Sequence, residues 1–384
     1  MSESNQPTKI HVLYILTKLE LGGAQKICLT LRDGVEAHGH QISLISGAEG
    51  VLVSQAQKHP NTFLLQDFKR EISIRSIVNE LKTFIKMMRI IKKIKNENPK
   101  IVVHTHSTKA GLLGRWAALF AGVKNRIHTV HGFGFHDHQS KLAWLITYAL
   151  EFITAPITTH YICVSEKDLK YGCKLLPTFK KKCSIIRAAT NADIFFTPAK
   201  KIKNIDEVIT IGTVSCFKPQ KNLLDLLEAF KHACSLVAAK ELRLQIIGDG
   251  EMRSEIEAWI ELNKMQNQIS LVGWQRNVAQ FMHQWDIFAL SSLWEGLPMA
   301  VVEARFSKLP VIAYNVGGIY EVVKNNQNGF LIAPGNWQDL GEKIARVVAD
   351  DFLRQRLSNF NDPISDFDNR SMISQHLKLY QRLV

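Results

Sequence analysis

Two carboxylates, Glu295 and Glu303, bracket the stretch Gly296-Leu297-Pro298-Met299-Ala300. Pro298 lacks an N–H and has a fixed φ, which suits the first position of a helix, and residues 299–304 continue as helix. The apolar run 285–290 just upstream reads as a buried parallel strand. Strand, tight loop and helix start bind phosphate through free backbone N–H groups and the positive end of the helix dipole. Pro298 offers no donor, so the amides of Leu297, Met299 and Ala300, beside Gly296, are the candidates. Glu303, inside the helix, is placed to accept two ribose hydroxyls. Glu295, at the strand end, is placed to accept hydroxyls from a sugar.

Other residues sit where chemistry of this kind would need them. Gly22-Gly23 follows the first strand at the head of a helix, where glycine lets backbone approach a diphosphate closely; alone, such a pair is more often a plain turn. Gly248-Asp249-Gly250 and Gly273-Trp274 end two strands of the second half. Lys221 follows Pro219-Gln220, and taken alone is a solvated loop lysine. His131, in Thr129-Val130-His131-Gly132-Phe133, ends a strand, where a buried histidine is more often structural. No Asp-x-Asp ends a strand, and no His/Asp/Glu group has metal-ligand spacing, so no metal and no cofactor is expected. His136-Asp137-His138 reads as a polar loop.

These residues need a scaffold that lines up strand ends. Apolar runs at 10–16, 41–46, 101–106, 126–130, 161–165 and 183–186 alternate with helical stretches, among them 110–121. That alternation argues for an α/β fold with a parallel sheet covered on both faces. Residues 196–206 are charged, contain Pro198 and lack periodicity, and read as a linker. A second series follows, with strands at 208–214, 242–247, 269–272, 287–290, 310–314 and 330–332 and helices at 222–232 and 252–262. The expected domains are 1–195 and 196–370, both Rossmann-like, with a helix from 371 to 384 crossing back onto the first. Ligands of such sheets bind beyond the carboxyl ends of the strands, here in a cleft between the domains.

The string from Ser291 to Ala304 resembles the E-x7-E signature of family-4 retaining glycosyltransferases. Val214-Ser215-Cys216-Phe217-Lys218-Pro219-Gln220-Lys221-Asn222 resembles that family's V-G-R-L-x-P-Q-K-N loop. The resemblance spans nearly the whole chain. His104 to Gly111 and Thr129 to Phe135 look especially like bacterial exopolysaccharide and lipopolysaccharide transferases. It implies a GT-B fold, with an acceptor-binding first domain and a donor-binding second. It also implies a metal-independent reaction in which cations and helix ends neutralise the leaving diphosphate. By that resemblance Lys221 contacts the diphosphate, His131 positions the donor sugar, Glu295 serves the sugar, and Glu303 the ribose. Gly22, Gly23, Gly248, Gly273 and Trp274 then border the donor. The implied mechanism is front-face, with the departing diphosphate helping to deprotonate the acceptor. One departure stands out: Cys216 occupies the usual Arg position, which leaves Lys218 or Arg305 to supply any second phosphate contact.

The formal net charge is +13, and it is lopsided: residues 1–195 carry 27 Lys+Arg against 14 Asp+Glu, whereas 196–384 carry 21 of each. The first half therefore faces something anionic. Within it, Leu81, Phe84, Ile85, Met88, Ile91 and Ile94 share one helical face, and Lys82, Lys86, Arg89 and Lys93 the other. Two readings stay open: a membrane-docking helix, or a Rossmann helix packed on its sheet. No apolar run is a transmembrane span; the nearest, 142–157, carries Glu151 and Pro156. The polar N-terminus and six cysteines without metal spacing fit a cytoplasmic protein, peripheral to the inner face of the membrane. The expected partners are a nucleotide-sugar donor, UDP-linked and in one form an N-acetylhexosamine, a polyprenyl-diphosphate-linked or other saccharide acceptor, and an anionic membrane surface. Two other functions are alternatives: a soluble transferase with a small acceptor, and a non-catalytic nucleic-acid binder. The basic half has no recognisable nucleic-acid module and no interleaved aromatics, so no nucleic acid is expected.

Overall fold

Every run read above as a strand becomes a strand of one of two sheets in the computed structural model, which describes residues 9–69, 77–135, 139–196, 207–237 and 240–384. His136-Asp137-His138 and most of the expected linker, 197–206, lie outside the described residues. By its contacts the chain divides into two units: residues 1–189 with 369–384, and residues 190–368.

The first unit holds β1 (His11–Leu16), β2 (Gln41–Gly47), β3 (Thr62–Leu65), β4 (Ile101–His106), β5 (Asn125–Val130), β6 (His160–Cys163) and β7 (Cys183–Ile185), in the order β3-β2-β1-β4-β5-β6-β7. The second holds β8 (Ile209–Val214), β9 (Leu242–Ile247), β10 (Ile269–Gly273), β11 (Ile287–Leu290), β12 (Val311–Tyr314) and β13 (Gly329–Ile332), in the order β10-β9-β8-β11-β12-β13. Strand neighbours in both are parallel. β1 and β4 are buried at every residue, as expected of apolar strands covered on both faces. The α/β expectation therefore holds in both units.

The helix Ile77–Glu97 packs on the first sheet. Met87, Ile91 and Ile94 join a core with Leu13, Ile15 and Val103. From Phe84 to Ile94 its apolar stripe packs on the protein, whereas Leu81 is exposed at 57%, and Lys82, Lys86, Arg89 and Lys93 lie on the exposed side. Lys86 is 3.3 Å from Asp67. The helix Asn369–Leu383 completes the first unit against the helix Gly23–Ala37. Tyr380 Oη lies 2.6 Å from His104 Nδ1 and 3.4 Å from Tyr14 Oη, inside the core.

A buried ion pair ties the helix Thr108–Phe120 to the helix Lys141–Thr154. Arg115 donates to both oxygens of Glu151, at 2.8 and 2.7 Å. It also donates to Thr158 Oγ1 and to the carbonyl of Gly111. Tyr161 donates to Glu151 at 2.6 Å. A bidentate pair with its remaining donors satisfied is the form in which a buried charge is tolerated.

Candidate active site

In the second unit the site is built where the strand order reverses. β8 and β11 are sheet neighbours, although β9 and β10 intervene in sequence. Their C-terminal loops therefore emerge side by side, at the switch point where open α/β sheets bind ligands. Ser291 Oγ donates to the carbonyls of Lys221 and Asn222, at 3.0 and 2.8 Å. The Leu293 amide donates to the Gln220 carbonyl at 2.9 Å, and Gln220 Nε2 to the Trp294 carbonyl at 2.7 Å. Between loops held in this way, Lys221 Nζ meets Glu295 Oε1 at 2.5 Å. The two side chains are 19% and 8% exposed, so the pair is mostly withdrawn from water. An ammonium has three donors. The bond to Glu295 takes one and aims the others.

The helix Met299–Phe306 starts directly after this loop. Pro298 does not occupy its first position: with ψ at 114° it is extended and stands just ahead of it. No side chain caps the helix start, and its first turn holds no acid. The amides of Met299 and Ala300 therefore belong to an uncapped first turn, which favours an anion. Glu303 is buried one turn further on. The Gly318 amide donates to the Gly296 carbonyl at 2.6 Å. Gly317 has φ +58°, and a Cβ there would lie 2.2 Å from the Glu295 carbonyl oxygen.

Gly248 backs the loop after β8. Its φ is +132°, and a Cβ would lie 1.8 Å from the Ser215 carbonyl oxygen. Ser215 cannot retreat easily, because its amide is bonded to the Ile247 carbonyl at 2.9 Å. Gly248→Ala should destabilise the protein by about 1–3 kcal/mol through backbone strain, measured by urea unfolding. An unchanged midpoint would show that the loop yields freely. Gly248 also donates to the Gly273 carbonyl at 3.0 Å, and half-exposed Trp274 follows.

In the first unit, Gly22 precedes the helix Gly23–Ala37, whose start likewise has neither a side-chain cap nor an acid in its first turn. His131 follows β5 and bonds through Nε2 to His106 Nδ1 at 3.0 Å. His106 belongs to a layer of imidazoles. Its ring centre is 4.3 Å from that of His104, and His104 is 5.7 Å from His376. Desolvation first, then neighbouring imidazoles, pushes His104 and His106 well below the ordinary 6.5. Burial pushes His131 and His376 down to about 4. All four are neutral at pH 7. His106 Nε2 is buried, with no partner among the described residues. A buried unpaired N–H costs more than a buried lone pair, so the His106 proton sits on Nδ1 and is donated to His131 Nε2. His131 then carries its own proton on Nδ1. It is a neutral donor, suited to holding a hydroxyl or carbonyl oxygen.

One expectation is overturned. Arg305 is not available to a phosphate. It is fully buried, donates to Asp362 Oδ2 at 2.6 and 3.0 Å, and bonds the carbonyl of Leu309. Its place on the inner face of the helix Met299–Phe306 dictates this. Of the two cations considered for the second contact, part-buried Lys218 is left. Among the described residues no group of three or more His, Cys, Asp or Glu could hold a metal ion. Sequence reasoning did not pick out Ser291, Gln220 or His106, which are ordinary residues until strand pairing supplies their partners.

Residues 21–193 match the family model described as Glycosyltransferase Family 4, and residues 185–361 match that of Glycosyl transferases group 1. The UDP-Gal:alpha-D-GlcNAc-diphosphoundecaprenol alpha-1,3-galactosyltransferase of Escherichia coli is 30% identical, over 93% of this chain and 92% of its own. The N,N'-diacetylbacillosaminyl-diphospho-undecaprenol alpha-1,3-N-acetylgalactosaminyltransferase of Campylobacter jejuni is 23% identical, over 79% and 82%. Among solved structures, Anabaena HepE in complex with UDP-glucose superposes with a TM-score of 0.78 at 18% identity, covering 98% of this chain and all of that one. At that identity the likeness is one of fold.

Proposed function

The chain belongs to glycosyltransferase family 4 and is a glycosyltransferase of the GT-B fold, and from that premise we propose that it moves a sugar from a UDP-sugar, with retention, to a polyprenyl-diphosphate-linked acceptor. The observation that carries the reading is the Lys221–Glu295 pair beside an uncapped helix start. It occurs in a chain that matches, along nearly its whole length, an enzyme named for UDP-Gal and a diphosphoundecaprenol acceptor.

In the proposed reaction the bond between the sugar's anomeric carbon and the diphosphate oxygen breaks. The acceptor oxygen bonds to the same face of that carbon, and its proton passes to the departing diphosphate. Negative charge grows on the leaving group as the bond lengthens. Lys221 and the amides of Leu297, Met299 and Ala300 meet that charge, and fixed donors of this kind act most strongly in the transition state. Glu303 accepts the ribose hydroxyls. Glu295 accepts hydroxyls of the sugar and holds Lys221 in place. His131 donates to the sugar. Gly22, Gly23, Gly248, Gly273 and Trp274 border the donor. The acceptor is lipid-borne, so the enzyme works at an anionic membrane surface on the cytoplasmic side, drawn by the cations of the first unit. Nucleic acid has no role in this reading.

A panel of UDP- and GDP-sugars read by thermal shift tests the donor. A UDP-sugar should raise the melting temperature, and transfer should follow only when a polyprenyl-diphosphate sugar is added. If no nucleotide sugar stabilises the protein, or if RNA binds in its place, the reading fails. Glu303→Ala should weaken UDP binding about 10-fold or more, the effect of losing hydrogen bonds to a charged group. Glu295→Ala should reduce transfer more than UDP binding. Equal losses in the two assays would contradict their separate roles.

A further inference from the structure

The helix Lys141–Thr154 is built inside out. At 100° per residue, Leu142, Leu145, Ile146, Leu150, Phe152 and Ile153 share one side, and all six are exposed, Leu142 at 68% and Ile153 at 59%. The opposite side holds Glu151 and Thr154, both buried, and Trp144 and Tyr148, both partly so. Glu151 is clamped by Arg115, Thr154 accepts from Trp116 Nε1 at 3.0 Å, and Tyr148 donates to the Leu175 carbonyl. These bonds fix the rotation of the helix, so it cannot roll its aliphatic side inward. Lone exposed apolar residues are ordinary, but a contiguous face of them marks an interaction site.

The surroundings identify what covers that face. Lys141 is exposed at the start of the helix. At its far end Lys182 donates to the carbonyls of Ala155 and Thr158, which brings the turn Phe179–Lys182 against the helix end with Lys180 and Lys181 exposed. The helix packs on Thr108–Phe120, whose exposed Phe120 stands 6.0 Å from Phe84 of the helix Ile77–Glu97. That third helix exposes Lys82, Lys86, Arg89 and Lys93. Cations thus stand at both ends of the apolar face and on the helix beyond its neighbour. A helix of 14 residues is about 21 Å long, too short for a hydrocarbon core of about 30 Å, and no described helix is long and apolar enough to cross a membrane.

We propose that the helix Lys141–Thr154 lies in the interface of an anionic bilayer, with its aliphatic face among the acyl chains and the surrounding lysines at the head groups. The acceptor's lipid carrier gives this docking its purpose, and in that respect the proposal rests on the function proposed above. It also assigns the two signals to different helices: Lys141–Thr154 supplies the main apolar contact and Ile77–Glu97 the charge.

Flotation with phosphatidylglycerol/phosphatidylcholine vesicles tests it without any nucleotide sugar, so docking is read even if the transfer reading fails. Leu145→Glu with Ile153→Glu should lower the partition coefficient at least about 10-fold. Both positions are exposed, so the melting temperature should hold. Transfer to a short-chain, water-soluble diphosphate acceptor should also be unchanged. Lys180→Glu with Lys181→Glu should weaken flotation on the anionic vesicles and leave the residual binding to pure phosphatidylcholine as it was. Unchanged flotation of the Leu145/Ile153 variant overturns the proposal. So does a wild-type dimer that this variant converts to monomer with flotation intact, because the face would then belong to a second copy of the chain.

Discussion

Replacing Lys221 by Met should cut turnover about 10²- to 10³-fold, the loss seen when one fixed donor to a developing charge is removed, while the protein stays folded. Lys221 sits in a loop that Ser291 and Gln220 fasten to its neighbour, so its removal leaves that loop's backbone bonds in place. A contact that strengthens as the diphosphate leaves should appear in kcat more than in KM. Part of any binding loss has a second cause. Without Lys221, the nearly buried Glu295 carboxylate stands unpaired and repels a diphosphate. The double variant Lys221→Met/Glu295→Gln separates the two. Donor affinity should recover while turnover stays low. Full turnover in Lys221→Met, measured with saturating donor, would refute the assignment of the leaving-group charge to this residue.

The second large effect is a loss of stability in mild acid. His131 and His376 titrate near 4 in the folded protein, and burial also drives His104, His106 and His128 well below 6.5. The unfolded chain takes up these protons near pH 6.5, so between pH 6.5 and about 4 it binds more protons than the folded one. The stabilisation is complete above pH 6.5 and drains away as pH falls through that window. A shift from 6.5 to about 4 corresponds to about 3 kcal/mol per group. Two such groups remove a large part of a domain's usual 5–15 kcal/mol. The urea midpoint of the first unit should therefore drop steeply from pH 7 to pH 4.5, and His376→Leu should flatten the slope. A midpoint unchanged down to pH 5 would mean that the imidazole layer takes up protons without unfolding.

The fold was largely legible because parallel strands buried on both faces are continuous apolar runs. Residues 101–106, 242–247 and 287–290 read as strands with the bounds the structure gives. β3 was not legible: it is an edge strand of four residues, and only Leu65 is fully buried. Helical periodicity finds an apolar stripe but cannot say what covers it. In Ile77–Glu97 the stripe meets the sheet; in Lys141–Thr154 a similar stripe faces outward, because Glu151 and Arg115 claim the inward side. Site chemistry met the same limit. Lys221 and Glu295 each stood out in the sequence, but their contact bridges 74 positions and depends on the pairing of β8 with β11. Arg305 looked like a free cation until Asp362, 57 positions away, closed around it.

The placement of the helix Asn369–Leu383 has a consequence for the order of synthesis. It supplies His376 and Tyr380 to the layer around His104 and Tyr14, yet the ribosome makes it after the whole of residues 190–368. Domains usually close in the order of their emergence. Here the later unit can close first, while the earlier one waits with its imidazole layer uncovered. A polypeptide interrupted before residue 369 would therefore lack the His376 and Tyr380 partners of its first sheet, however completely residues 190–368 had closed.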